Sequence, residues 1–223
     1  TGTEKEINHY LGEVYFFRAY DYYRLLTNYG DVPIIEEELP DDISILKVST
    51  RRAPRNEVAR FMIRALEIAD SLMMETAPST GRLSRDCARL MLARVALFEA
   101  PWEKYHAGTC FVPGNAKWVG AKMHPDFTFK AGSAEAEINF FLDKAIEYSD
   151  MVAKARPLYS DYKKMFTSDD IDAIPEVLLA KSYVAAVNGH GVNRALSLAG
   201  KTGYTRSLVE SFLMDNGLPI YAA

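Results

Sequence analysis

Apolar residues recur at helical spacing in four stretches of the chain, each on one side only. The first runs from about Glu4 to Asn28 and sets Leu11, Tyr15, Ala19, Tyr22 and Leu26 on one face. The second begins at Pro54, a favoured first helical residue because an N–H there has no partner in any case. It carries Val58, Met62, Ala65, Ala69 and Leu72. The third, from about Ser84 to Tyr105, offers Ala88, Met91, Leu92, Val95 and Phe98. Pro101 removes a helix hydrogen bond and crowds the turn before it, so it is expected to end or kink this helix. The fourth, from about Ala134 to Lys154, offers Ile138, Phe141, Leu142, Ala145 and Val152. Glu135 and Glu137 stand in its first turn, where the helix dipole favours anions.

A one-sided stripe must be buried against a neighbour. The chain order makes two antiparallel pairs, one joined by residues 29–53 and the other by residues 106–133. The expectation is a mainly α fold of tetratricopeptide-like stacked helix pairs with long irregular loops. Ala88, Ala96 and Ala145 suit close helix contact, although no clean self-similarity at ~34 residues is present. Both connections exceed the usual ~2–8 residues, and long ordered loops are where binding surfaces concentrate. After Pro157 the pattern changes. Glu176-Val177-Leu178-Leu179-Ala180 reads as a single isolated strand, residues 188–203 as Gly- and Asn-rich loop, and Thr205 as the cap of a short helix with Leu208, Val209, Phe212 and Leu213. Asp215-Asn216-Gly217 is a turn. The expected division is a helical-repeat region over 1–157 and a loop-rich region over 158–223.

The 223 residues are 48% hydrophobic and 25% charged, an ordinary globular balance that can bury a core. A net charge of −4 supplies no electrostatic reason to expect a nucleic-acid partner. No apolar run approaches the ~20 residues of a membrane-spanning helix. The chain opens in polar sequence, so a signal peptide or a lipid-accepting cysteine is not expected within the stretch given. Cys87 and Cys110 leave two readings open, a disulfide or a buried Cys87 beside an unpaired Cys110.

Catalytic and metal patterns are weak. His9, His106, His124 and His190 form no i,i+4 pair of the helix-borne zinc type. Asp169, Asp170 and Asp172 lack the EF-hand loop pattern and read as a solvated acidic turn. Phosphate-binding Gly-rich loops and a Gly-x-Ser-x-Gly elbow are absent from the sequence, which calls for no cofactor and no catalysis.

Several short segments, taken in order, carry a family likeness. They are Arg18-Ala19-Tyr20, Tyr29-Gly30-Asp31-Val32-Pro33, Arg52-Ala53-Pro54-Arg55-Asn56-Glu57-Val58 and Gly81-Arg82-Leu83-Ser84. Phe98-Glu99-Ala100-Pro101-Trp102-Glu103-Lys104-Tyr105-His106, Pro175-Glu176-Val177-Leu178-Leu179 and the stretch from Leu208 to Ile220 follow. In this order the chain resembles the SusD/RagB family, surface glycan-binding lipoproteins of Bacteroidota that work beside a TonB-dependent outer-membrane transporter. The resemblance implies a non-catalytic nutrient-binding protein with two partners, an oligosaccharide or polysaccharide and a SusC-like TonB-dependent transporter. It implies a place on the cell-surface side of the outer membrane, lipid-anchored in the full-length protein. Family members are typically about twice as long, so the chain is expected to be an internal or truncated piece. The alternative function is a helical-repeat scaffold for protein–protein interaction, and a hydrolase with an unrecognised site is the third.

Sugar recognition uses flat aromatic faces with Asn, Asp and Arg at the hydroxyls. In the 106–133 connection an exposed Trp118 is the best single platform, with Asn115 beside it, and Phe127 and Phe129 read as loop pins. Asn188, His190 and Arg194 supply hydrogen-bonding groups in the second long loop. Trp102 and Tyr105 read as structural, the set Tyr20, Tyr22, Tyr23 and Tyr29 as core, and Arg18 as a partner of a buried acid or of helix carbonyls.

Overall fold

The computed structural model describes the chain apart from Thr1, Ala173, Ser182, Ala185, Ala186, Asn188, His190, residues 199–202 and Ala223, and apart from the side chains of Asn193 and Leu196. Eight helices are described: α1 (Glu4–Tyr29), α2 (Ile43–Ser49), α3 (Arg55–Leu72), α4 (Arg85–Tyr105), α5 (Ala134–Ala155), α6 (Tyr162–Thr167), α7 (Val192–Ser197) and α8 (Arg206–Ser211). The chain is mainly α, as its stripes predict. It divides into a unit of residues 1–180 and a second unit of residues 181–223.

Local chemistry sets the helix ends. Thr3 and Glu6 form a capping box at the start of α1, with the Thr3 N–H donating to the Glu6 carboxylate at 2.7 Å. Gly30 ends it in a positive-φ conformation (70°) that favours glycine, its N–H returning to the Leu26 carbonyl. Asp42 caps α2, a short helix inside the 29–53 connection that periodicity does not announce. Ser133 caps α5 by accepting the Ala136 N–H. Pro101 does not end α4, which continues to Tyr105. The turn beyond the proline is held by packing: Ala100 and Glu103 are buried, and Trp102 stacks on Phe98 and His106.

In the first unit α1 packs on α3, α3 on α4 and α4 on α5. The two expected pairs are therefore present and stacked, the arrangement of tetratricopeptide-type repeats. Val58, Met62 and Leu66 of α3, Leu92, Val95 and Ala96 of α4 and Phe141 of α5 share one buried core. Ala88, Ala96 and Ala145 are buried where small side chains allow helices close together. Cys87 is buried and Cys110 half-buried, and both are free thiols.

The buried face of α1 is rotated from the expected stripe. Phe16, Ala19 and Leu26 are in the core beside His9, Gly12 and Glu13, whereas Leu11 is exposed and Tyr15 and Tyr22 are half-buried. The polar residues on this face are paired: His9 Nδ1 accepts the Met74 N–H at 3.0 Å, and Glu13 takes Arg82. Gly12 lets α1 touch α3, since a Cβ there would stand 2.5 Å from Met73 Cγ. Gly12→Ala is expected to cost about 1–3 kcal/mol of stability, read by chemical denaturation.

Glu176–Ala180 does not form the expected strand. Among the described residues no strand lies beside it, and it is held by side chains and single hydrogen bonds. Leu178 packs on the core, its carbonyl faces the Cys87 thiol, and the Glu176 carboxylate accepts the Tyr159 N–H. In the second unit Thr205 caps α8 as expected, and the Asp215-Asn216-Gly217 turn closes a bridge between Leu213 and Pro219.

Candidate functional site

The segment that leaves α1 fastens the helices to the long 106–133 connection. After Gly30 turns the chain, Val32 pairs with Ala53 in an isolated bridge just before α3. Asp31 lies between them, buried, and accepts from the Arg55 N–H at 3.0 Å and from the Trp118 indole N–H at 2.8 Å. Burial pushes the Asp31 carboxyl up, and the hydrogen bonds from Trp118 and Arg55 offset only part of that.

Trp118 is therefore a pin and not an exposed platform. Its ring is 4% exposed, stacked near His124 and tilted against Phe127, with Gly120 closing over it. The His124 ring reaches the Arg52 carbonyl at 2.8 Å, tying the same loop to the entrance of α3. Asn115 is likewise spent inside the loop. Its amide donates to the Thr109 and Val112 carbonyls, and its carbonyl oxygen accepts the Lys117 N–H. Phe127 meets Phe129 edge to face, and Gly114 leaves the space Phe129 occupies. The sequence brings Trp118 and Asn115 together, yet as the loop's own fastening. Arg194 is exposed on α7 in the second unit, and Asn188 and His190 lie outside the described residues.

Beside this fastening is a groove of about 280 Å³ between the end of α1, the end of α4 and the loop. Thr27, Asn28, Tyr29, Trp102, Phe111 and Val119 contribute to its walls. Tyr29 is 67% exposed and Phe111 56%, so both present ring surface to solvent. Trp102 stacks on His106, with the Arg55 guanidinium 4.4 Å from its ring centre. The groove thus sets ring surfaces beside Thr27 and Asn28, whose hydroxyl and amide N–H donate to the Tyr23 and Arg24 carbonyls, so that a sugar would meet their oxygens as acceptors. A groove along α4 is lined mostly by apolar side chains, among them Leu90, Leu97, Leu142 and Ile146, together with Arg94 and Ser149.

Tyr29 and Phe111 are the residues that sequence reasoning misplaces or passes over. Tyr29 reads as core from its spacing to Tyr22, but it is the last residue of α1, where the helix has run past its partner. Phe111 sits in irregular sequence, and its nearness to Trp102 and His106 is purely tertiary. Tyr20 is also exposed, and Tyr105 is exposed at the end of α4. Arg18 lies over the Tyr15 ring, while Arg55, Arg60 and Arg82 serve the buried acids.

Under the groove lies a closed ionic layer. Arg55 holds Glu99 through two contacts of 2.8 Å, and Arg60 holds Glu137 at 2.6 and 2.8 Å. Burial pushes the Glu137 carboxyl up, but hydrogen bonds from Arg60 and Asn56 outweigh it and leave it below the usual range. Among the described residues no group of three or more His, Cys, Asp or Glu is placed to hold a metal ion.

Residues 1–97 match the family model SusD-like_3, described as starch-binding and associating with the outer membrane. The chain is similar to SusD-like protein P2 of Formosa agariphila, with 31% identity over 124 residues, 56% of this chain and 24% of the relative. It therefore spans about a quarter of the length of that curated relative. A SusD-like protein of Bacteroides fragilis NCTC 9343 is a solved structure with a likeness at TM-score 0.40 and 26% identity, over 46% of this chain and 20% of that one. The resemblance read from the motifs is borne out: over the region these matches cover the chain is similar to SusD-like proteins.

Proposed function

We propose that this chain is part of a non-catalytic cell-surface protein that captures glycans and delivers oligosaccharides to a SusC-like TonB-dependent transporter. The observation that carries this reading is the match of residues 1–97 to a family described as starch-binding and associating with the outer membrane. The groove at the end of α1 supports it, because Tyr29 and Phe111 offer exposed rings beside Thr27 and Asn28. Among the described residues no helix is long and apolar enough to cross a membrane. We place the protein on the cell-surface side of the outer membrane, held in its full length by a lipid anchor.

The test is a panel of oligosaccharides and polysaccharides examined by calorimetry and affinity electrophoresis, with products assayed in parallel. Binding without product release is the expected result, and cleavage would make the protein a hydrolase instead. Phe111→Ala and Tyr29→Ala should each weaken the binding found by about fivefold, the scale of one aromatic contact worth ~1 kcal/mol. Their melting temperatures should stay near that of the unaltered chain, because exposed rings contribute little to folding.

A second reading, a scaffold for protein–protein interaction, is favoured by one observation. Ile7, Leu11, Val14 and Phe17 line the outer side of α1 at helical spacing, and all are exposed. An apolar stripe of this kind marks contact surfaces. Silence across the whole glycan panel would leave this reading in place of the first.

A further inference from the structure

Where α3, α4 and α5 meet, two arginines and three glutamates share one buried cluster. Each guanidinium is already engaged by a carboxylate, Arg55 by Glu99 and Arg60 by Glu137. Glu137 also accepts from the Asn56 amide and the Ala131 N–H. Glu103 is the third acid, one turn beyond Glu99 on the same side of α4. It is 2% exposed, and among the described residues neither of its carboxyl oxygens has a hydrogen-bond partner.

The charges balance without it. Two guanidinium–carboxylate pairs are neutral together, so an ionised Glu103 would add an uncompensated negative charge beside two carboxylates. An unpaired buried charge is among the costliest arrangements a fold can carry, and a proton removes it.

We propose that Glu103 enters this interior as the neutral carboxylic acid, and that its ionisation is an alkaline-side switch that loosens the junction of α3, α4 and α5. The groups facing it are Arg55 and Arg60 from α3, Glu99 from α4 and Glu137 from α5. Burial first, then the Glu99 and Glu137 charges, push Glu103 up to about 9 against the weaker pull of the two arginines. The same end of α4 carries Trp102, so loosening here reaches a wall of the groove.

The direction follows from proton linkage. Unfolded Glu103 ionises near its ordinary 4.5, and folded Glu103 near 9. Below the lower value both states hold the proton and the stabilisation is fully present. Between the two values only the folded state holds it, so stability falls as pH rises, and above the upper value the loss is complete.

The experiment compares unfolding of the chain and of Glu103→Gln from about pH 5 to pH 10. Glutamine keeps the size of the neutral acid and cannot ionise. The unfolding constant of the unaltered chain should rise relative to the variant by up to about tenfold per pH unit, levelling off above the folded value. Parallel pH profiles for the two proteins would overturn the proposal. The same question is read on the unaltered chain by NMR of ¹³C-labelled glutamate carboxyls. One carboxyl should hold its neutral shift past about pH 7, and a spectrum in which every glutamate finishes titrating near the ordinary carboxylate range would overturn it.

Discussion

Replacing Glu99 with alanine should cost about 3–5 kcal/mol of folding stability, or leave the chain unfolded at ordinary temperature. The Arg55–Glu99 pair is fully enclosed, with side chains 3% and 0% exposed and two contacts of 2.8 Å. Glu99→Ala leaves the Arg55 guanidinium in the interior without its hydrogen-bonded carboxylate, over the Trp102 ring and facing Glu103. The loss comes from the orphaned cation more than from the missing attraction, because the intact pair already offsets its own desolvation. Equilibrium denaturation gives the number directly. The double variant Arg55→Met, Glu99→Leu should recover a large part of the loss, since no charge then remains to be buried. A single-variant cost below about 1 kcal/mol, the level of an exposed pair, would show that water reaches this layer.

Trp118→Ala is expected to destabilise the chain by a similar amount, about 3–5 kcal/mol, the range for removing a large buried aromatic. Two separate contributions disappear together. The ring leaves a cavity among His124, Phe127 and Gly120, and the Asp31 carboxylate loses the indole N–H that it accepts at 2.8 Å. Trp118→Phe separates them: it keeps much of the ring, forfeits the hydrogen bond and should cost about 1–3 kcal/mol. The 106–133 loop should loosen in both variants, seen as faster amide exchange around residues 115–129. A Trp118→Ala chain with an unchanged melting curve would return the ring to the surface and reopen its use as a sugar platform.

How these acids and rings are used is the part least legible in the sequence. Glu99, Glu103 and Glu137 have the same side chain and lie on helices with ordinary apolar stripes. Their separate roles come from what the fold brings to each: Arg55 reaches Glu99 across 44 residues of chain, Arg60 reaches Glu137 across 77, and neither holds Glu103. Hydrophobic periodicity treats a buried carboxylate as a solvent-facing residue, so it sets the exposed face of α1 wrongly where His9 and Glu13 turn inward. The misplacement of Leu11 follows from that, whereas Tyr29 is read as core because spacing alone does not show that α1 ends there.

What the sequence determined by itself is local or periodic. One-sided stripes at 3.6-residue spacing placed the four long helices, because each turn of an α-helix presents the same face again. Thr205 marked the start of a short helix, since its side-chain oxygen meets an N–H only three residues away. The order of short motifs was enough to raise the SusD-like likeness that the match over residues 1–97 bears out. Only the tertiary structure decided which residues of the long loop turn inward. It made Trp118 and Asn115 fastenings, left Tyr29 and Phe111 at the surface, and enclosed Glu103 without a partner. Each outcome depends on what the fold brings from far along the chain, and neither spacing nor residue type encodes that neighbour.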